Sequence, residues 1–372
     1  MSTHSNHPTM SLASCSCMTL TSETGNHYWF RTCDVETDIW KDGSHGVSVS
    51  AGSRLRLNGR EEESKYAYMG MTYNKQDTWL LDGVNEKGLC GGLLMLFEGT
   101  SVDKAWGNYE GYMGMEIVTK MLSSCANVAD VIQMAKRIQV LSIPFQGQYV
   151  PASIHYFFTD ITGNEVILEA TDSEKPGIFT IYRKEQIIGV MTNSPEYPKH
   201  LENLSWYLAL SPELKQGVRG NPIRSLFLDG RQVKQNSCGE HILKTAVFPA
   251  SYSSYDRFIR LSVLKALNHC GNRFSDEAML AMGSGIMNVV NEPNSQGVYH
   301  YTRIENGTRV IGQKDSYTQY LIMYDIAERA FYIKPFDMVS WTKYQLSIEK
   351  KTDIIRYEIS HNSMDGILVG NK

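Results

Sequence analysis

Cys15, Arg31 and Asp34 are the residues of this chain whose types and spacing best suit chemistry. Between them the sequence reads Cys15-Ser-Cys-Met-Thr-Leu-Thr-Ser-Glu-Thr-Gly-Asn-His-Tyr-Trp-Phe-Arg31-Thr-Cys-Asp34. An apolar-alternating run leaves the cysteine, turns at Gly25-Asn26 and returns through Tyr28-Trp29-Phe30, which is the pattern of a β-hairpin. Pairing of the two arms brings Arg31 and Asp34 back beside Cys15. A thiol next to a guanidinium and a carboxylate is an activated nucleophile. Only 14 residues precede Cys15, and their removal would free its α-amino group. With an ordinary pKa of about 7.7–8.0, that amine can take the thiol proton at neutral pH.

Three further segments carry residue types that an acyl-transfer site requires: Asp82-Gly-Val-Asn-Glu-Lys-Gly-Leu89 with the strand that runs on to Met95, Met191-Thr-Asn-Ser-Pro195, and Tyr255-Asp-Arg-Phe-Ile-Arg260. Each has a plain structural reading too. A cysteine is often a small buried hydrophobe, Asn193 a strand-ending turn residue, and Arg257 half of a surface ion pair. Cys17 is a rival nucleophile, because residues two apart on a strand share one face. A zinc site built from Cys15, Cys17, His4, His7 and His27 is a different class of explanation, but the spacing matches no standard finger.

The elements that must position these residues alternate between strand and helix patterns. After the hairpin come strands at Val47–Ser50, Tyr66–Met71 and Leu89–Phe97, with a turn-rich segment expected at Leu81–Leu89. Residues 114–138 switch to helical periodicity, with one stripe at Ile117, Met121 and Leu122. A second stripe, at Val131, Met134, Ala135 and Ile138, follows a cap at Asn127. A meander of strands at Ile154–Thr159, Glu165–Ala170, Ile178–Tyr182 and Ile187–Thr192 stops at Asn193-Ser-Pro195. Helices are expected at about 199–210, 257–268 and 276–290, and further strands between Tyr301 and Tyr332. The order implies layers with antiparallel sheets.

Composition frames the function without choosing it. The 372 residues are 42% hydrophobic and 20% charged, with a formal net charge of −4, the profile of a globular protein with no electrostatic pull toward nucleic acid or anionic membrane. The acidic run Glu61-Glu62-Glu63 reads as a solvated turn. No apolar stretch is long enough to span a bilayer, and no secretory signal is recognisable at the start, so a cytoplasmic location is expected. Seven cysteines in a chain of this size argue against a disulfide framework. The sequons at Asn203 and Asn306 then carry little weight. The absence of a linker or repeat favours a single domain over 15–372, with residues 1–14 as a removable pro-segment or disordered tail.

Taken together, the segments resemble the choloylglycine hydrolases: bile salt hydrolases, penicillin V acylases and related linear amide hydrolases of the N-terminal-nucleophile superfamily. The resemblance rests on Cys15 to Asp34 and on Asp82-Gly-Val-Asn-Glu-Lys-Gly-Leu89. It continues through Met121-Leu-Ser-Ser-Cys125 with Val128-Ala-Asp-Val-Ile132, Ile154-His-Tyr-Phe-Phe-Thr-Asp160, Met191-Thr-Asn-Ser-Pro195 with Asn203-Leu204, and Arg257-Phe-Ile-Arg260, in the family's order. It covers roughly residues 15 to 335. It implies an α+β fold, a four-layer αββα sandwich of two stacked antiparallel sheets flanked by helices. It also implies a catalytic cysteine exposed as the first residue after processing. Two routes to that processing stay open: attack of the same thiol on the Ser14 carbonyl, or trimming by other proteases.

Carried over by position, Cys15 is the nucleophile and its freed amine the base. Arg31 lies beside the thiol, Asp34 orients the amine, Asn193 donates to the oxyanion, and Arg257 is the remaining active-site arginine. Met95 stands where the family commonly has Asn or Tyr, and only its backbone N–H need serve the oxyanion. Phe248-Pro-Ala-Ser251 replaces the family's Leu-Pro-Gly-Asp. The long stretch between Asn193 and Arg257 matches an assembly loop and implies a homotetramer. No cofactor or metal is implied. The implied partner is a small amide with an apolar acyl group, chosen by loops around 35–45, 72–80, 95–100 and 140–150 that include Trp79, Phe97 and Phe145. Bile salts, penicillin V and N-acyl homoserine lactones stay open as substrates, and a non-catalytic binding protein that keeps the fold is the alternative.

Overall fold

Alternating side chains and a glycine turn build the first two strands, β1 (Ser16–Thr21) and β2 (His27–Val35). They pair antiparallel, with Ser16 opposite Thr32 and Thr21 opposite His27. The turn closes through the Gly25 N–H on the Ser22 carbonyl at 3.1 Å. Gly25 has φ +89°, a left-handed conformation that glycine adopts without steric cost. The structure, a computed structural model, describes residues 14–35, 38–142, 144–145, 148–149, 153–210, 249–268, 274–293, 297–305, 308–346 and 354–359. Residues 1–13, with His4 and His7, most of the expected assembly loop and Asn306 lie outside the described residues.

The chain forms two compact units, one drawn from Ile39–Tyr182 and Gln345–Ile359, the other from Ala13–Asp38 and Arg183–Tyr344. In the first unit the strands are β3 (Gly46–Val49), β4 (Arg54–Leu57), β5 (Arg60–Glu63), β6 (Tyr68–Tyr73), β7 (Gln76–Asn85), β8 (Leu89–Met95), β9 (Glu110–Met113), β10 (Ile138–Leu141), β11 (Pro144–Phe145), β12 (Gln148–Tyr149), β13 (Ile154–Asp160), β14 (Glu165–Glu169) and β15 (Thr180–Arg183). The helices α1 (Ile117–Ser124) and α2 (Val128–Ala135) lie between β9 and β10. Asn127 caps α2, its side chain accepting from the Asp130 N–H at 3.0 Å, a contact typically worth about 1 kcal/mol.

The second unit adds α3 (Tyr197–Leu210), α4 (Ser254–Asn268) and α5 (Asp276–Met287) to β16 (Val190–Met191), β17 (Gly297–Glu305), β18 (Thr308–Asp325), β19 (Ala330–Pro335) and β20 (Thr342–Gln345). Its sheet runs β16-β1-β2-β18-β19-β20, with β17 paired to β18. The sheet of the first unit runs β15-β14-β13-β8-β7-β6-β3-β21, where β21 is Ile354–Tyr357. Each unit thus pairs one large sheet with its own helices. In the second, α5 meets β2 through Gly283, where a Cβ would stand 2.1 Å from the Phe30 ring. No described helix is long and apolar enough to cross a membrane.

Three expectations about local structure are corrected. Glu61–Glu63 is part of strand β5, not a turn: Glu61 and Glu63 are exposed as expected, whereas Glu62 accepts from Tyr112 Oη at 2.8 Å and Lys120 Nζ at 2.6 Å. Ile138 begins strand β10 beside Glu110, so the second helical stripe ends at Ala135. Leu81–Asn85 continues strand β7, and the turn is confined to residues 86–88. Gly83 serves packing there, since a Cβ would meet Leu122 Cδ1 at 2.8 Å and Met69 O at 2.7 Å.

Candidate active site

Sheet register brings the expected residues of the second unit to one point. On one side of β1, Cys17 lies opposite Met191 and Met18 opposite Val190. Continued by two residues, that register sets Asn193 opposite Cys15. The Cys15 N–H donates to Asn193 Oδ1 at 2.5 Å. On the other side, Cys17 faces Arg31 and Ser16 faces Thr32, while the Ser14 N–H donates to the Asp34 carbonyl at 2.7 Å. Cys33 is therefore opposite Cys15.

Arg31 is buried at 1% exposure, and its Nη2 donates to Cys15 Sγ at 3.4 Å and to Cys33 Sγ at 3.9 Å. The Cys33 thiol hydrogen-bonds to the Cys15 sulfur and draws its proton affinity down. Burial opposes this, and the charge and hydrogen bond of Arg31 reinforce it, so the Cys15 pKa falls from 9.0 to about 5. Cys17 takes the opposite course: burial pushes its thiol far above the ordinary range, despite the charge of Arg31. Of the two rival thiols, Cys15 alone is held as thiolate at neutral pH. His27 stands opposite Thr21 at the turn end of the hairpin, six residues and about 20 Å along the strand from Cys15, so it does not join a metal site there.

Asp34 is fully buried. The Thr32 hydroxyl donates to its Oδ2 at 2.9 Å and the Thr318 hydroxyl to its Oδ1 at 2.5 Å. Burial, then the charges of Glu292 and Cys15, raise its pKa well above the ordinary carboxylate range. Arg257, from the first turn of α4, is equally buried, which overturns its reading as a surface ion pair. Its Nη1 donates to the Cys15 carbonyl and to Ser16 Oγ, both at 2.6 Å, and its Nη2 to Asn193 Oδ1 at 2.9 Å. Its Nε donates to the Tyr252 carbonyl at 2.9 Å.

The orientation of Asn193 follows. Two donors, Cys15 N and Arg257 Nη2, claim its Oδ1, which makes Nδ2 the end of the amide turned toward other partners. Its main chain is fixed as well, because the Asn193 carbonyl accepts from His200 Nε2 at 2.8 Å. His200 sits on α3 and stacks on Phe258 of α4, ring centroids 4.6 Å apart. His200, Cys33, Thr318 and Glu292 were not expected from the sequence. They act through strand register and helix packing, which leave no local pattern to read.

Met95 lies in the first unit, at the end of β8 opposite Ile154, and is buried. Asp82 is buried in β7 opposite Gly92. The same motif's Asn85 is a structural keystone: its Nδ2 donates to the Leu122 and Cys125 carbonyls at 2.8 Å, and its Oδ1 accepts from the Lys87 and Leu89 N–H groups at 3.0 Å. Of the aromatic residues expected at substrate loops, Trp79 is buried and borders a cavity of about 640 Å³ with Arg54, Arg56 and Met113. Phe97 is 55% exposed. The side chain of Phe145 lies outside the described residues.

Comparison with known proteins gives the family and the fold. The family model described as linear amide C–N hydrolases, choloylglycine hydrolase family, matches residues 15–354. The bile salt hydrolase/transferase of Clostridium perfringens is 23% identical over 330 residues, covering 87% of this chain and 89% of the relative. That of Lactiplantibacillus plantarum is 24% identical over 350 residues, covering 92% and 97%. Among solved structures, a variant of the conjugated bile acid hydrolase from Clostridium perfringens superposes with TM-score 0.73 at 21% identity, covering 94% of this chain and 98% of that one. Penicillin V acylase from Agrobacterium tumefaciens superposes with TM-score 0.66 at 17% identity, covering 94% and 93%. The likeness shows the fold, the α+β αββα class expected from the sequence.

Proposed function

The chain belongs to the choloylglycine hydrolase family of linear amide C–N hydrolases, and from that membership we propose that it hydrolyses amides of apolar acids with Cys15 as the nucleophile. The observation that carries the assignment is the Arg31 Nη2 contact at 3.4 Å to a thiol held near 5. In this reading, removal of the residues ahead of Cys15 frees its α-amine. The amine stands protonated beside the Cys15 thiolate, and that ion pair is the resting state. Thiolate adds to the substrate carbonyl carbon. The oxyanion takes hydrogen bonds from Asn193 Nδ2 and a backbone N–H, and the ammonium of residue 15 gives its proton to the departing amine. The acyl-thioester that remains is attacked by water, with the amine accepting the water proton, and the acid leaves as the thiolate returns.

Asp34 orients the amine, and Arg257 fixes the Cys15 carbonyl and the Asn193 amide in one frame. Met95 enters this reading by the family resemblance alone. Conjugated bile salts and penicillin V are the substrates proposed, since the relatives named above act on those classes. A homotetramer in the cytoplasm is part of the same proposal, to be weighed by light scattering and cell fractionation.

The test is a panel of glycocholate, taurocholate, penicillin V and N-acyl homoserine lactones, run on the wild-type chain and on Cys15→Ala, with intact mass measured in parallel. Hydrolysis of one class by wild type, none by C15A, and a mature mass that begins at Cys15 is the expected result. A C15A protein of undiminished activity would refute the nucleophile assignment. Ligand binding without turnover by a correctly processed wild-type chain would favour a binding protein.

A further inference from the structure

Glu292 is a buried carboxylate that the mechanism above leaves without a role. It follows α5 and the short turn Asn288–Val290 and is 2% exposed. Its Oε1 accepts from the Ser14 hydroxyl at 2.7 Å and lies 3.9 Å from Arg257 Nε. Its main chain is pinned twice to Thr318: the Glu292 N–H donates to Thr318 Oγ1 at 2.8 Å, and the Thr318 N–H to the Glu292 carbonyl at 3.0 Å. The same Thr318 hydroxyl donates to Asp34 Oδ1, so one threonine ties both carboxylates to one place. Ser14 is gripped by that pair, its hydroxyl by Glu292 and its N–H by the Asp34 carbonyl. The grip lies immediately ahead of the Ser14–Cys15 bond.

The charged and titratable groups around residue 15 are Cys17 from β1, Arg31, Cys33 and Asp34 from β2, Arg257 and Arg260 from α4, and Glu292. Asp34 and Glu292 are two buried acidic groups close enough for the charge of one to oppose ionisation of the other, and a positive charge placed beside them favours both charged forms. Cleavage of the Ser14–Cys15 bond adds such a charge as the new ammonium and removes the hydroxyl that occupied Glu292.

We propose that Glu292 is a positioning residue with two successive partners: it holds Ser14 for cleavage ahead of Cys15, and then, with Asp34, it holds the ammonium that cleavage creates. The inference rests on the reading that Cys15 becomes the first residue. In the first stage the Cys15 thiolate adds to the Ser14 carbonyl carbon, the C–N bond to residue 15 breaks, and the nitrogen takes two protons from solvent to become the ammonium. The segment is left on sulfur as a thioester. One water adds to that carbonyl and gives its two protons back to solvent, the S–C bond breaks, and the products are a carboxylate at Ser14 and the free Cys15 thiolate, a net hydrolysis of one peptide bond.

The test follows cleavage of the full chain by intact mass after cell-free synthesis, for wild type, Glu292→Gln, Ser14→Ala and the double variant. E292Q is expected to slow the appearance of the Cys15 terminus at least about tenfold. The double variant should cleave no more slowly than S14A, because the two residues act through one hydrogen bond. Once matured, E292Q should move the basic limb of the kcat/KM profile down by about one pH unit, since the ammonium has lost a negative neighbour. E292Q that cleaves at the wild-type rate, that slows S14A by the factor it slows wild type, or that leaves the basic limb in place overturns the inference. A wild-type chain that never sheds Ser14 overturns the processing reading together with it, whereas normal wild-type cleavage indifferent to Glu292 overturns this inference alone.

Discussion

Cys15 and Cys33 face each other across the β1–β2 hairpin, and a single nitrogen, Arg31 Nη2, reaches both sulfurs at 3.4 and 3.9 Å. The ladder bond from Ser14 N to Asp34 O marks the neighbouring pair as hydrogen-bonded. Cys15 and Cys33 therefore occupy a non-hydrogen-bonded pair, where opposing side chains come closest. The second thiol is the largest cause of the lowered Cys15 pKa, ahead of Arg31. Cys33→Ala should raise the Cys15 titration from about 5 toward its ordinary 9.0, read from thiolate ultraviolet absorbance against a C15A control. The acidic limb of kcat/KM should rise with it. Cys17→Ala should leave the titration in place, because burial keeps that thiol protonated.

Arg257 and Asn193 should fail together. Removing the Asn193 amide takes away a donor aimed at the oxyanion, a loss typically of about 10²–10³ in kcat. Arg257→Gln leaves the Cys15 carbonyl, Ser16 Oγ and Asn193 Oδ1 without their shared donor and leaves the Asn193 amide oriented by the residue 15 nitrogen alone. The double variant N193A/R257Q should therefore be little slower than the worse single variant. Strict multiplication of the two kcat effects in steady-state assays would show that Arg257 does not act through Asn193.

Asp34 makes a pH-dependent stability prediction. Its carboxyl is raised well above the ordinary 3.8, by burial first and then by the charges of Glu292 and Cys15. A group raised in the folded state contributes its stability in full below the unfolded pKa and loses it as pH rises through the folded one. In a Cys15→Ala background, where Ser14 stays attached, Asp34→Asn should thus gain in Tm relative to Asp34 as pH is raised from about 5 to about 8. Each kcal/mol should appear as roughly 2–4 °C for units of this size. Calorimetry at several pH values checks it, and a Tm difference independent of pH would mean that Asp34 is ionised throughout.

The hairpin that carries Cys15, Arg31 and Asp34 was legible because its signals are local: alternation in both arms and a glycine at the turn. Asn127 as a helix cap was legible for the same reason. Legibility failed where partners are remote in sequence. Glu61–Glu63 reads as a turn until Tyr112 and Lys120 arrive to hold Glu62 in a strand whose other two glutamates stay exposed. Gly83 reads as a turn until Leu122 occupies the space a Cβ would need. Within the site, Cys33 is visible as a residue, but its place opposite Cys15 depends on register. Thr318 and Glu292 reach Asp34 and Ser14 across more than 270 residues of chain. Nothing near them in sequence announces that role.

Asn85 tests how much of the most recognisable motif is structural. Its side chain is fully buried and makes four hydrogen bonds to main-chain groups: to Leu122 and Cys125 at the end of α1, and from Lys87 and Leu89 around the β7–β8 turn. Truncation leaves those groups to find other partners, at about 1–3 kcal/mol for each that stays buried and unsatisfied. Asn85→Ala should therefore lower Tm by several degrees or more. Asn85→Asp should also be destabilising, because a carboxylate keeps the two acceptor contacts and has no N–H for the Leu122 and Cys125 carbonyls. The check is Tm alongside active-site titration of the folded fraction. A normal Tm with a collapsed kcat per titrated site would move Asn85, and the motif with it, from scaffold to chemistry.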